Sequence, residues 1–186
     1  LIATAQCELE AGDRSASSTY LLALEAGPEN PEQCAMIGNA LLELGNTEVA
    51  VAAYERCVQI APASADAAAT LAGALVLLGR AEVARRALGQ ALALQPQHGR
   101  ALYFRSLLNQ NKLGDADLAQ LQRLVTTPST PVLDRMFIEF VISGALESRG
   151  EFDQAIAHCT SAHGLKSALE KSSGDNYNRE AHKREV

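Results

Sequence analysis

His158, Cys159 and His163 are the residue types in this chain that most invite chemistry, because imidazoles and a thiolate are common transition-metal ligands. Their spacing argues against a site. On a helix, positions five apart point to different faces, and no second ligand pair has metal spacing. Cys159 is expected in a core slot, His158 exposed beside it, and His98 and His182 isolated. Cys34 and Cys57 fall where two helices come near one another. Either a disulfide or two buried thiols fits that placement, and the thiols are the reading favoured here, since free cysteine behaves as a small buried hydrophobe. The carboxylate pairs Glu8/Glu10 and Asp115/Asp117 are two residues apart, so they do not face one another on a helix. No Gly-x-Ser-x-Gly elbow, GxxxxGK loop or GxGxxG fingerprint occurs. The chain is expected to hold no catalytic centre, metal or cofactor of its own.

The elements that carry these residues repeat. Pro28, Pro62 and Pro96 are 34 residues apart and Pro131 follows after 35. Twelve residues before each proline stand Ala16, Ala50, Ala84 and Ala119, and Ala155 follows after 36. Such a period marks stacked helix pairs. In Asn30-Pro31-Glu32-Gln33 an N-cap, a proline at the first helical position and a Gln at N3 open a helix to about Leu44. Gly45 stops it and Asn46 is expected to cap the next, which ends before Pro62. The grammar returns as a Ser64 cap, a helix over 65–78, Gly79, a helix over 81–94 and Pro96. After Pro96 the repeat degenerates. Thr130 is expected to cap a helix from Pro131 to about Arg149, with Phe137, Phe140, Val141 and Ile142 buried. A last helix over 151–165 would bury Phe152, Ala155, Ile156, Cys159 and Ala162. Residues 168–186 read as a polar tail, with Lys171 to Asn176 as a linker and a short charged helix from Tyr177.

The block 31–64 resembles a tetratricopeptide repeat, with Ile37, Gly38, Leu41, Gly45, Ala50, Tyr54, Cys57 and Pro62 in its signature slots. Leu71, Ala72, Leu75, Gly79, Ala84, Leu88, Ala91 and Pro96 fill the same slots in the next block. The resemblance implies an all-α fold, a right-handed α-solenoid of antiparallel helix pairs over residues 1–167, in five repeats (1–30, 31–64, 65–98, 99–131, 132–167). Gly38 is expected to face Ala50, and Ala72 to face Ala84, for close helix approach. Tyr54 either packs in the core or contacts a ligand, and the core is the reading favoured here.

In such a solenoid the first helices line a concave groove. Its candidate residues are Glu32, Ala35, Met36, Asn39, Asp66, Ala69, Thr70, Gly73, Arg100, Phe104, Arg105 and Leu108. By the same resemblance, Asn39 matches a groove asparagine that holds a peptide carboxylate in chaperone-binding members. Ala35 stands where those members have lysine and Thr70 where they have asparagine, which disfavours a carboxylate-terminal ligand. Phe104 with Arg100 and Arg105 either anchors an extended peptide or forms a plain solvated face.

Composition bounds the partner. Residues 1–64 carry two arginines against nine carboxylates, net −7, and residues 65–135 carry eight cations against five carboxylates, net +3. There is no basic nucleic-acid footprint. The longest apolar run, Leu71 to Leu78, ends at Gly79-Arg80, too short to span a membrane. Four cysteines without CxxC spacing suit reduced thiols and a cytoplasmic location. A chain that begins at Leu1, inside a repeat helix, reads as an excerpt of a longer protein.

Residues 120–186 show a narrower resemblance. Ser143-Gly144-Ala145-Leu146-Glu147 and His163-Gly164-Leu165-Lys166 are similar to the last repeat of bacterial proteins in which a tetratricopeptide array precedes a sulfotransferase domain. A lysine is missing after Gly144, and Gly164 replaces an alanine. The resemblance implies a downstream domain that binds a sulfonate-donor nucleotide through a phosphate loop absent from these residues. The expected function is a protein or peptide docking scaffold, with two alternatives: the substrate-recruiting region of a sulfotransferase-like enzyme, and a homo-oligomeric scaffold that associates through exposed ends.

Overall fold

The computed structural model describes residues 1–13 and 15–172, and every described element is a helix. The chain divides into two compact units, residues 1–108 and 109–186. The first unit holds α1 (Ile2–Glu10), α2 (Ala16–Glu25), α3 (Pro31–Glu43), α4 (Thr47–Ile60), α5 (Ala65–Leu77), α6 (Ala81–Leu94) and α7 (Gly99–Leu108). The second holds α8 (Asp115–Thr126), α9 (Val132–Ser148) and α10 (Phe152–Ser172).

In the first unit the expected start signals operate. Asn30 Oδ1 accepts the Gln33 amide at 2.9 Å, and the Gln33 side chain accepts the Glu29 amide at 2.9 Å. Ser64 Oγ accepts the Ala67 amide at 3.1 Å. Turns α3/α4 and α5/α6 close identically. Gly45 (φ 78°) and Gly79 (φ 71°) take the left-handed conformation, and the next amides, Asn46 and Arg80, reach back to Leu41 O and Leu75 O at 2.7 and 2.9 Å. A left-handed residue is inexpensive only for glycine, so these positions fix the hairpin turn.

Asn46 departs from expectation: its side chain makes no cap bond to α4. The amide donates instead to Ser17 Oγ at 2.6 Å, tying two helix pairs together. Glu48 and Arg80 make an equivalent tie, 2.7 Å across the next pair boundary, and Gln90 Nε2 donates to Pro62 O at 3.1 Å. Arg80 and Glu48 are exposed, so their pairing orders the turns more than it stabilises them.

The core is built mainly from alanine, with Ala50, Ala53, Ala68, Ala72, Ala84 and Ala91 all fully buried. On the second helices the large buried side chains Tyr20, Tyr54 and Leu88 recur with the repeat, and the first helices add Ile37, Leu41 and Leu75. At Gly38 the nearest side chain is Tyr54. A Cβ added there would lie 2.5 Å from Tyr54 Cε1, so the missing side chain makes room for the ring.

Cys34 and Cys57 are buried free thiols packed with Ala67, Val58 and Ile60. Burial pushes both thiols up, and the Cys57 thiol donates to Pro31 O at 3.4 Å. Thiolate is the reactive form. A thiol-titrating disulfide reagent should therefore modify exposed Cys7 in the folded protein and spare Cys34 and Cys57 until urea unfolds it. Fast labelling of Cys57, read by peptide mass mapping, would contradict this packing.

In the second unit, Gly150 (φ 79°) closes α9 onto α10 with the turn used at Gly45. The α9 core is Ile138, Val141, Ile142, Ala145 and Leu146, with Phe137 and Phe140 half-buried. Thr130 caps nothing: its hydroxyl donates to Leu124 O at 2.8 Å, closing α8, and Pro131 takes the cap position of α9. In α8 the expected slot residue Ala119 is exposed, whereas Leu118 and Leu121 are buried. These two stand 34 residues after Ala84 and Ala87. The core period thus stays at 34, and the extra residue before Pro131 is taken up in the loop after α8.

The last helix departs furthest from expectation. It continues through residue 167 to Ser172, and only Ala155 and Ala162 on it are buried. Phe152 and Ile156, expected inside, are 62% and 64% exposed. A three-to-four periodicity identifies an apolar stripe but not whether a further element covers it. His158 is not solvated as expected: its Nδ1 meets the buried Glu139 carboxylate at 2.5 Å, and Ser161 Oγ donates to the other Glu139 oxygen at 3.0 Å. A carboxylate 7% exposed is tolerated because both oxygens are bonded. Residues 173–186, where most of the linker and the short charged helix are expected, lie outside the described residues.

Candidate functional site

The first unit carries a cleft whose walls come from α3, α5 and α7, with Tyr54 and Cys57 of α4 at its base. It consists of two adjoining cavities of about 260 and 320 Å³ that share Ala35, Tyr54, Thr70 and Arg100. One, the apolar end by its Leu42, Leu77 and Phe104 side chains, is completed by Asn39, Gly73 and Ala74. The other, the polar end by its Glu32 and Asp66 carboxylates, is completed by Pro31, Cys57, Ser64 and Ala67.

Helical spacing explains the lining. Ala35, Asn39 and Leu42 recur at intervals of four and three on α3, as do Thr70, Gly73 and Leu77 on α5, so each set forms one stripe. Tyr54 is 1% exposed, yet its hydroxyl reaches the cleft and donates to Asn39 Oδ1 at 2.7 Å. That bond orients the amide and leaves Nδ2 as its donor end. Burial pushes the Tyr54 phenol up to about 12, against the pull of the Arg100 guanidinium, so the ring is a neutral donor. Arg100 Nη1 donates to Thr70 Oγ1 at 2.6 Å, which holds a cation against the middle of the cleft.

Asp66 is held by a residue expected to be isolated. His98 is 3% exposed; its Nδ1 accepts the Ala101 amide at 3.3 Å, so the proton sits on Nε2, which meets Asp66 Oδ1 at 3.0 Å. The ring thereby starts α7 and fixes a carboxylate at the polar end. Its signal in the sequence is weak: a histidine before Gly99, one repeat after the Ser64 cap.

The structure brings together Glu32, Ala35, Asn39, Asp66, Thr70, Gly73, Arg100 and Phe104. Four other candidate residues do not line the cavities. Met36 is exposed beside them and Arg105 is exposed on α7. Ala69 is fully buried in the cluster that α5 forms with α6 and α7, and Leu108 packs partly buried against the same cluster. Sequence reasoning missed Leu42, Leu77 and Ala74 of the apolar end. It favoured a core role for Tyr54 over a ligand contact, whereas the side chain is buried and also lines the cleft.

Gly73 sets the shape of the apolar end. A Cβ there would lie 2.6 Å from Phe104 Cε2 and Cζ. Phe104 is only half-buried, so its ring has somewhere to go. Gly73→Ala should leave the unfolding midpoint nearly unchanged, because about 1 kcal/mol of helix propensity offsets the contact. The displaced ring should instead narrow the cleft, detectable as changed shifts of the Phe104 ring protons. A large loss of stability would show that the ring is pinned.

Among the described residues no group of three His, Cys, Asp or Glu side chains could hold a metal ion, and no helix is long and apolar enough to cross a membrane.

Residues 41–108, which include most of the cleft, match the tetratricopeptide repeat family model. No curated protein matches the chain. Among solved structures, a crystal structure of MamA is 22% identical with a TM-score of 0.56, covering 90% of this chain and 96% of that one. A second MamA structure is 20% identical with a TM-score of 0.52, covering 94% and 91%. MamA 41-end from Desulfovibrio magneticus RS-1 is 19% identical with a TM-score of 0.53, covering 89% and 93%. At these identities the likeness concerns the fold: an all-helical array of tetratricopeptide type.

Proposed function

We propose that the protein is a docking module whose first unit binds an extended segment of another polypeptide in the α3, α5 and α7 cleft. The observation that carries this reading is a cleft with its polar groups already placed: Tyr54 holds Asn39, Thr70 holds Arg100 and His98 holds Asp66. Side chains fixed before binding lose little entropy on binding, so a short segment gains more from each contact. The Asn39 Nδ2 and the Arg100 guanidinium are donors suited to the carbonyl groups of an extended backbone. A repeat family match over 41–108 supports a binding role rather than a catalytic one.

The test is selection of short displayed peptides on the full chain, followed by competition with Phe104→Ala. Enriched peptides should bind the wild type and lose most affinity for the variant, with helical circular dichroism unchanged. Peptides indifferent to Phe104 would move the binding surface elsewhere.

A second reading, self-association, is favoured by exposed Phe152 and Ile156 on α10. Light scattering across protein concentration decides it, since a monomer throughout excludes it. The sulfotransferase-recruiting reading rests on the resemblance of residues 120–186 alone; a strand and phosphate loop encoded after Val186 would support it.

A further inference from the structure

The cleft is not electrically neutral, and its charge is arranged along its length. Of the wall helices, α3 and α5 carry Glu32, Glu43 and Asp66 and no lysine or arginine, whereas α7 carries Arg100 and Arg105. Arginines 56, 80, 85 and 86 lie on or at the start of the second helices α4 and α6, away from the cavity lining. Within the lining itself Arg100 stands against Glu32 and Asp66, and its guanidinium is engaged by Thr70 at the junction of the two cavities. Both carboxylates are exposed residues of the polar end, and Asp66 is aimed by the buried His98 while its side chain stays 75% exposed. The other end offers Leu42, Ala74, Leu77 and Phe104.

From this we infer that the occupant is an extended segment with an apolar side chain and, close by in sequence, a lysine or arginine. The apolar group seats beside Phe104 and the cation reaches Glu32 and Asp66. This rests on the docking reading and names the chemistry of its partner. An acidic segment is disfavoured by the same arrangement, since one guanidinium already held by a hydroxyl would face two carboxylates.

The experiment uses a peptide enriched on the full chain, synthesised with both ends capped so that no terminal charge contributes. Three forms carry Lys, Gln or Glu at the cationic position, and anisotropy measures their affinities. The Lys form should bind tightest and weaken as salt is raised. Glu32→Gln with Asp66→Asn, the latter keeping an acceptor for His98, should reduce its affinity on the order of tenfold, the effect of two exposed ion pairs. Equal binding of the Lys and Gln forms, or tighter binding of the Glu form, with Phe104→Ala still abolishing capture, overturns the charge assignment and leaves the docking reading standing. No enriched peptide, or binding that ignores Phe104→Ala, overturns both.

Discussion

Tyr54→Ala should cost about 3–5 kcal/mol, the loss expected when a large aromatic is truncated in a close-packed core. The ring is 1% exposed in the cluster formed by Ile37, Leu41, Ala50, Val51 and Leu75, and side chains held in packed helices relax only partly into the void. Urea unfolding followed by circular dichroism measures the effect, and a loss under about 1 kcal/mol would mean that the slot is not a core position. Tyr54→Phe isolates the hydroxyl. It should cost only about 0.5–1.5 kcal/mol, the net worth of one hydrogen bond, while freeing Asn39 in the cleft.

The same variant has a signature in alkali. The Tyr54 phenol is pushed up to about 12, so the folded state holds its proton more tightly than the unfolded chain, whose ordinary value is 10.0. Stability from this group is therefore intact below pH 10.0 and lost as pH rises towards about 12. In Tyr54→Phe that alkaline decline should become shallower. It should not vanish, because burial also pushes up Tyr20, Cys34 and Cys57.

Gly38→Ala is expected to destabilise although alanine is the better helix former. Its Cβ would lie 2.5 Å from Tyr54 Cε1, and a ring buried on all sides and bonded to Asn39 has no alternative position. Overpacking of about 1–3 kcal/mol should outweigh a propensity gain of about 1 kcal/mol. In a Tyr54→Leu background, which removes the ring, the same change should cost less. That non-additivity is the measure of the contact. Gly38→Ala that stabilises the protein, as propensity alone requires, would show that the contact does not exist. Gly73 presents a similar geometry to Phe104 with little expected change in stability, and the difference lies in how far each ring is enclosed.

The helix positions were readable because they depend on local chemistry. Asn30, Ser64, Gly45 and Gly79 act through bonds within a few residues, and period 34 identifies the buried slots. What escaped depends on partners distant in sequence. Asn46 and Thr130 have the chemistry of caps, but each donates elsewhere: Asn46 to Ser17, 29 residues away, and Thr130 back to the Leu124 carbonyl. In the chain His98 looks isolated and His158 exposed, and each meets a carboxylate only once the helices are packed. Phe152 and Ile156 show the limit of periodicity, which reports that a face is apolar and not that it is covered. In the cleft the α3 and α5 stripes followed from spacing, whereas Ala69 fell one residue off the stripe and into the core.

The ties Ser17–Asn46, Glu48–Arg80 and Pro62–Gln90 all link residues roughly one repeat apart, and none spans more than 32 positions. The first unit is held the way a ladder is lashed, rung to next rung. Such a unit should lose protection from amide exchange rung by rung, because each rung leans only on its neighbours. The binding cleft draws its walls from three successive rungs, so a docked segment should let go once any one of the three loosens.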